Sequence, residues 1–494
     1  VLAVVVYLVV PAEATTTTGE VIELGQAGRA TAAVAVLMAV WWMTEAIAIP
    51  ATALVPLVAF PLLGVGPIEE VAPPYANPLI FLFLGGFLLA AAMARWGVER
   101  RIALVVLGVV GSEPGRLVAG FMVVTALLSM WVSNTATAAM MLPVALSVVA
   151  AATTGGDHDP ASGPPPVPGE GEPGRRFATA LLLGIAFAAS IGGVATLIGS
   201  PPNLFLASYS AEELGQNIGF AQWMLIGLPF TVIMLPVAWV LLVRVLFRPD
   251  VAPDGIAVVI ARWRSSLGPL RRSERRVMVV FGATVTAWIT RPLLAGIRIG
   301  NTEPFAELTD AGIALAAAVA LFVLPAGEDR RRLLTWSDTR NVPWGTLLLF
   351  GGGLSLAAAI DRTGVAELIG SVASSLGGLP PVVVVAVVVA IVVFLTELTS
   401  NTATVAALLP ILAAAAAGLG LDPLTLAVPT ALAGSLAFML PVATPPNAVV
   451  FGSGHVAMRD MVRTGARLNL VSIVVVTVLT FVVAAPVLGL GSPW

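Results

Sequence analysis

The stretch SNTATAAMMLP runs from Ser133 to Pro143, and SNTATVAALLP runs from Ser400 to Pro410. Eight of the eleven positions are identical at a separation of 267 residues. Each polar word sits inside an apolar run, 117–151 and 380–417. Polar backbone at membrane depth is tolerated only where it is buried in protein or lines a wet cavity. How these two words are accommodated therefore decides the fold.

The setting is a membrane. Of 494 residues, 58% are hydrophobic and 11% charged, against about 25% charged in an average soluble chain. Apolar runs long enough to span a bilayer recur along the whole length. A net charge of −3 gives no sign of nucleic-acid binding, and the absence of cysteine excludes disulfides, thiolate metal sites and thiol nucleophiles. Hydropathy predicts spans at 1–10 (partial), 27–47, 49–63, 79–94, 177–207, 222–247, 277–291, 309–324, 344–360, 424–453 and 468–490. The basic residues are all arginine. If 117–151 and 380–417 dip in and return to their own side, 21 of the 25 arginines fall on one face, leaving Arg29, Arg291, Arg298 and Arg362 on the other. Positive charge is retained in cytoplasmic loops. The expectation is an all-α polytopic protein of the plasma (cell inner) membrane, with about eleven transmembrane helices and two re-entrant hairpins. Its N-terminus is cytoplasmic and its C-terminus extracytoplasmic. The Pro/Gly-rich stretch 153–176 reads as a disordered connector, and the basic stretch 248–276 as a segment at the anionic inner surface.

The words belong to a larger repeat. FLFLGGFLLAAAMARWGV (81–98) faces LLFGGGLSLAAAIDRTGV (348–365) at the same offset of 267. GSPPN (199–203) recurs as ATPPN (443–447), and the longer connector of the first half accounts for the changed spacing. Five crossings separate equivalent points, so the two copies are inverted in the membrane. Inverted repeats with broken helices are the architecture of many secondary transporters, with the substrate near the midplane.

The chemistry follows from the breaks. Ser, Asn and Thr cap helix N-termini, so each word marks a hairpin tip after which a new helix starts. Two consecutive prolines cannot sit inside a helix but can open one, so each PPN breaks a span. Helix N-termini attract anions, and carbonyls freed at a break can ligate Na⁺. Such a chamber has hydroxyls, amides and helix ends but almost no basic side chain, which points to an anion carried with cations. Intramembrane acids are candidates by default. Here they are Glu45, expected at the inner interface, Asp310 at a span edge, and Glu397, balanced between a brace for the hairpin and a part of the site. No HExxH and no spanning His are present, and His158 and His455 are expected in cytoplasmic loops. A metallohydrolase, a Ser–His enzyme and a proton-coupled antiporter therefore lack their parts. A channel is disfavoured by the inverted repeat.

With the doubled SNT, the later PPN words and WWMTEAIAIPATALVPL (41–57), the chain resembles the divalent anion/sodium symporter family (DASS, INDY-type). SLAFMLPVATPPNAVVFGSG (435–454) resembles that family's most specific signature. The resemblance covers nearly the whole chain. It implies a homodimer of the ion-transporter-superfamily fold, with a scaffold and an elevator-like transport domain. The scaffold would be 1–116 and 277–379, the transport domain 117–250 and 380–494, and the cytoplasmic linker 251–276. The implied activity is import of four- or five-carbon dicarboxylates (succinate, malate, fumarate, 2-oxoglutarate) with two or more Na⁺ and no organic cofactor. A sodium-independent dicarboxylate exchanger and a citrate or sulfate symporter are the alternatives within the family. Carried over by residue, one carboxylate of the substrate meets Ser133, Asn134 and Thr135, and the other Ser400, Asn401 and Thr402. One Na⁺ site uses Ser129, Ser133, Asn134 and the carbonyl of Gly199. The second uses Thr396, Thr399, Asn401 and the carbonyl of Ala443. Ser200–Pro201 and Thr444–Pro445 line the chamber, with Ser200 standing where the family often has Thr.

Overall fold

The computed structural model describes all residues except 12, 16–20, 155–173, 250, 252, 300, 328–330, 375–377 and 491–494. Most of the expected connector, with His158, lies outside the described residues. The described chain is almost entirely helical, apart from a small antiparallel ribbon of Glu13–Thr15 and Val21–Glu23. Among the described residues nine helices are long and apolar enough to cross a membrane, and six shorter apolar helices accompany them.

Both halves run through the same series. A glycine-bearing helix, Pro78–Trp96 or Trp344–Arg362, is followed by a glycine with positive φ, Gly97 (67°) or Gly364 (75°), 267 residues apart. Only glycine adopts that left-handed turn without strain. A short amphipathic helix follows, Val98–Val110 or Val365–Ser374. Neither is among the hydropathy spans: the polar face of Val98–Val110, with Glu99, Arg100 and Arg101, lowers its mean hydropathy, and Val365–Ser374 is apolar but only ten residues long. Next comes a helix pair interrupted at the polar word, Pro114–Ser129 with Asn134–Thr154, or Pro381–Thr396 with Asn401–Gly418. Then comes a helix broken at PPN, Arg175–Gly193 with Pro201–Glu212, or Leu424–Ala433 with Pro445–Phe451. Each half closes on a long helix that ends in a π-helical stretch, Leu241–Leu246 or Thr480–Ala484. The equivalent residues Phe83 and Phe350 meet edge to face with ring centroids 5.5 Å apart, which marks the local axis between the halves.

Some expectations change in detail. The apolar run 49–63 is split into Ile49–Thr52 and Val55–Leu62, and the basic stretch contains a helix, Pro253–Ser266. Loop residue His455 is buried, with Nδ1 2.9 Å from the Ser453 carbonyl. Asp310 is a structural joint. Its carboxylate accepts from the Phe220 backbone N–H at 2.9 Å and pairs with Arg291 Nε at 2.8 Å, while its carbonyl accepts from Trp288 Nε1.

The centre of the molecule is the helix Arg175–Gly193, buried from Phe177 onward on every face. A helix that is apolar all round belongs in an interior. It lies against Pro114–Ser129 so closely that a Cβ on Gly192 would stand 2.4 Å from the Ala126 carbonyl oxygen. Small residues permit such approach where dispersion, not water, drives helix association. Gly192→Ala is therefore expected to cost about 1–3 kcal/mol through overpacking, read as a lower melting temperature of the purified protein. Gly282→Ala, where a Cβ would meet nothing within 4 Å, should leave it unchanged.

Candidate functional site

Both polar words and both PPN words line one cavity of about 1110 Å³. Ser133, Asn134 and Thr135 face it from the first word, and Thr399, Ser400, Asn401 and Thr402 from the second. Gly199, Ser200 and Pro201 join them, as do Ala443, Thr444 and Pro445. Ser129 and Thr396 are buried behind their words. Ser200 and Thr444 reach the wall but are nearly covered; Ser200 Oγ lies 2.8 Å from Ser435 Oγ, and Thr444 Oγ1 accepts from the Asn447 N–H. Among the described residues no arginine lines the cavity, and the one acid there is Glu45, which caps the helix Gly25–Thr44 with a positive φ of 49°.

Four helices begin at this cavity, at Asn134, Asn401, Pro201 and Pro445. The helices at Asn134 and Asn401 offer first-turn N–H groups without partners inside the helix. Those at Pro201 and Pro445 open on two prolines, which carry no N–H, and the next N–H groups, of Asn203 and Asn447, go to the Ser200 carbonyl and Thr444 Oγ1, so these two helices contribute their dipoles rather than donors. The four together make a field suited to anions. The Ser133 hydroxyl accepts from the Ala136 N–H at 3.3 Å, leaving other donors of that turn free for a ligand.

Oxygen atoms crowd behind the first word. One terminal atom of the Asn134 amide lies 2.5 Å from Ser129 Oγ, 3.1 Å from the Ala189 carbonyl and 3.3 Å from that of Gly199. Such a surround suits either an amide nitrogen or an amide oxygen sharing a hard cation with its neighbours. Ser129 Oγ itself donates to the Ala189 carbonyl at 2.7 Å. Glycine makes the crowding possible, since a Cβ on Gly193 would stand 2.5 Å from Asn134 Oδ1. Behind the second word the arrangement is looser. Thr396 donates to the Val393 carbonyl, Thr399 lies 2.6 Å from Thr404 Oγ1, and the buried Asn401 Oδ1 has no partner.

The unwound stretches are held by residues to which sequence reasoning gave no such role. Asn203 donates its amide to the carbonyls of Gly193 and Thr196, at 3.1 and 2.8 Å. Asn447 does the same to Ala437 and Leu440, at 3.2 and 3.0 Å. The acceptors lie ten and seven residues upstream in both cases. The third letter of each PPN is thus the staple of its own break, a role signalled only by its recurrence. Thr196 adds a bond to the Met130 carbonyl at 2.5 Å, tying the first break to the first tip. In the second half Glu397 takes over that tie. Its carboxyl accepts from the backbone N–H groups of Phe438, Met439 and Leu440 at 2.7–3.0 Å, and from Asn469 Nδ2 at 2.7 Å. Glu397 therefore braces the broken helix and does not line the cavity.

The chain matches the family described as sodium:sulfate symporter transmembrane region over residues 2–490. It is 40% identical over 463 residues to the sodium-dependent dicarboxylate transporter SdcS of Staphylococcus saprophyticus, covering 93% of this chain and 86% of that protein. To SdcS of Staphylococcus aureus it is 39% identical over 462 residues, with the same coverage. Two solved transporters share the fold. The YdaH transporter of Alcanivorax borkumensis superposes with a TM-score of 0.54 at 14% identity, covering 97% of this chain and 94% of that one. MtrF of Neisseria gonorrhoeae superposes with a TM-score of 0.59 at 11% identity, covering 92% and 94%.

Removing the Glu397 brace should be costly. Glu397→Ala orphans three buried N–H groups at about 1–3 kcal/mol each. It should lower the melting temperature sharply and abolish uptake. Glu397→Gln, which keeps one oxygen in place, should fall between the alanine variant and the parent in both measurements.

Proposed function

This chain belongs to the sodium:sulfate symporter family, and from that premise we infer that it is a sodium-coupled dicarboxylate transporter of the membrane, not an enzyme. The observation that carries the reading is the cavity on which two Ser-Asn-Thr helix starts and two Pro-Pro-Asn helix starts converge, with no basic side chain among its described lining residues. An anion with a carboxylate at each end fits two such polar tips. Its charge then has to be offset by something other than arginine.

The residues fit sodium in that role. Ser129, Ser133, Asn134 and the Gly199 carbonyl would hold one ion, and the Ala189 carbonyl stands within the same oxygen cluster. Thr396, Thr399, Asn401 and the Ala443 carbonyl would hold another, for which the unpartnered Asn401 Oδ1 is the supporting observation. Bound Na⁺ supplies positive charge beside the helix starts without adding a fixed cation that would trap the anion. The substrate carboxylates take Ser133–Thr135 at one end and Ser400–Thr402 at the other, between walls that include Ser200–Pro201 and Thr444–Pro445. The preferred substrates are four- and five-carbon diacids.

The arrangement reads as eleven spans with two re-entrant hairpins, in a scaffold and a transport domain that move past each other. The scaffold is 1–116 with 277–379, the transport domain 117–250 with 380–494, and 251–276 joins them. The family resemblance supports a homodimer. Arginine asymmetry places Met43–Glu45 and Asn341–Thr346 at the cytoplasmic ends of their helices. Both segments edge the cavity, so the chamber is open inward. On the opposite side Asn77 Nδ2 donates to Glu212 Oε1 at 2.8 Å across the two domains. Beside that contact, burial first, then the carboxylates of Asp361 and Glu212, push Glu213 up to about 7.

Proteoliposomes carrying the purified protein should accumulate labelled succinate under an inward Na⁺ gradient, and not in choline chloride. Asn134→Ala and Asn401→Ala should each abolish uptake at an unchanged melting temperature. Succinate should raise that temperature far more in NaCl than in choline chloride, because linked ligands stabilise only together. Equal uptake and equal stabilisation in both salts would favour sodium-independent exchange.

A further inference from the structure

Equivalent residues of the two halves do not have equivalent surroundings. Ile198 is 5% exposed, whereas Val442, its counterpart 244 residues on, is 80% exposed in the cavity. Ala406 is fully buried, whereas its counterpart Ala139, 267 residues back, is exposed on the cavity wall. Trp131 lies against Phe220 and Phe281, whereas its counterpart Leu398 is 71% exposed. Apolar side chains left open in one half are covered in the other.

Two equivalent glycines do the covering. On Pro78–Trp96, Gly86 receives Ile198, and a Cβ there would stand 3.4 Å from two Ile198 carbons. On Trp344–Arg362, Gly353 receives Phe205 and Ala406. A Cβ there would stand 2.5 Å from Phe205 Cε2 and 3.3 Å from Ala406 Cβ. The first contact tolerates a methyl group, while the second excludes it. The neighbouring pair Gly85 and Gly352 faces Ala314 and Ala53, both in the scaffold, so of these four glycines it is Gly86 and Gly353 that touch the moving part.

Inverted copies around one site can exchange conformations, each taking up the contacts of the other. Resting on the transporter reading above, we propose that Gly86 and Gly353 are two alternating seats that set the balance between the inward- and outward-open states. In this structure Gly86 seats Ile198 and Gly353 seats Phe205 with Ala406. In the outward-open state Gly353 seats Val442, and Gly86 seats Val449 with Ala139. Each glycine thus makes a loose contact in one state and a tight one in the other, in opposite order. The side chains exposed in the inward state, Val442 and Ala139, are the ones that become covered. A methyl group at either seat acts against the state in which that seat is tight.

The chain has no cysteine, so Ala139→Cys can report on the cavity with an impermeant maleimide in inside-out vesicles. Gly353→Ala should slow that labelling at least about threefold, whereas Gly86→Ala should label at or above the parent rate. Gly85→Ala, which crowds only Ala314, should leave the rate unchanged even if it lowers the melting temperature. A second measurement avoids the strained variant altogether. Gly86→Cys with Ala139→Cys, both accommodated in the inward state, should form a disulfide under mild oxidation and thereby lose cytoplasmic labelling. The Gly353–Ala406 contact that this pair would reproduce, 3.3 Å between β-carbons, is close to the disulfide spacing of about 3.5–4.5 Å. Equal labelling in both alanine variants, or no disulfide in the double-cysteine variant under that oxidation, overturns the alternating seats. Neither readout uses a substrate. Failure of succinate uptake with the labelling pattern intact would instead count against the dicarboxylate reading.

Discussion

The structure depends on how unwound backbone is satisfied at the centre of an apolar molecule. Each broken helix exposes a run of peptide groups, near 193–200 and 437–444, where no water-filled loop can absorb them. A buried donor or acceptor without a partner costs as much as a lost hydrogen bond. The two PPN asparagines meet part of that demand by reaching back to carbonyls ten and seven residues upstream. The halves then diverge. The first uses Thr196 and the Met130 carbonyl, the second a carboxylate, Glu397, that collects three N–H groups. Neither tie is found in the repeat of the other.

Once the breaks are held, the cavity follows. Helix starts converge on it because each break must be followed by a new first turn; the turns at Asn134 and Asn401 carry free N–H groups, and those at Pro201 and Pro445, opened by prolines without N–H, add their dipoles. The same breaks leave carbonyls and side-chain oxygens on the far side of the tips, at Ala189, Gly199 and Ser129. Anion-seeking and cation-seeking groups are thus two faces of one backbone interruption. On the proposed assignment of the site, an ion on one face would alter the field on the other, which is what coupling requires. The lack of arginine in the wall matters equally. A fixed cation would bind the anion whether or not sodium were present.

A chain of two like halves still has a definite state. The halves share sequence but not environment, since Gly353 carries an aromatic ring and Gly86 an isoleucine. Packed interfaces switch between discrete arrangements and do not deform continuously. The exposed Val442 and Leu398 are the cost of the arrangement adopted here. Their counterparts show what covering them looks like.

Much was legible in the sequence because its signals are local or repeated. Apolar runs gave the membrane class, two identical words gave the helix interruptions, and double prolines gave the broken helices. The recurrence at 267 residues, seen again in Gly97 and Gly364, gave the pairing of the halves. The helices Val98–Val110 and Val365–Ser374 were not legible, because a charged face defeats a hydropathy average in the first and ten residues are too few for a span in the second. Nor was the work of Glu397, whose partners are backbone groups of apolar residues about forty positions on and the amide of Asn469, 72 positions on. The open side of the cavity was beyond the sequence too. It follows from tertiary packing, in which Gly353 holds Phe205 while Val442 stays exposed in the cavity. Local chemistry fixed where the helices break; only packing between distant segments decided what holds the breaks and which way they face.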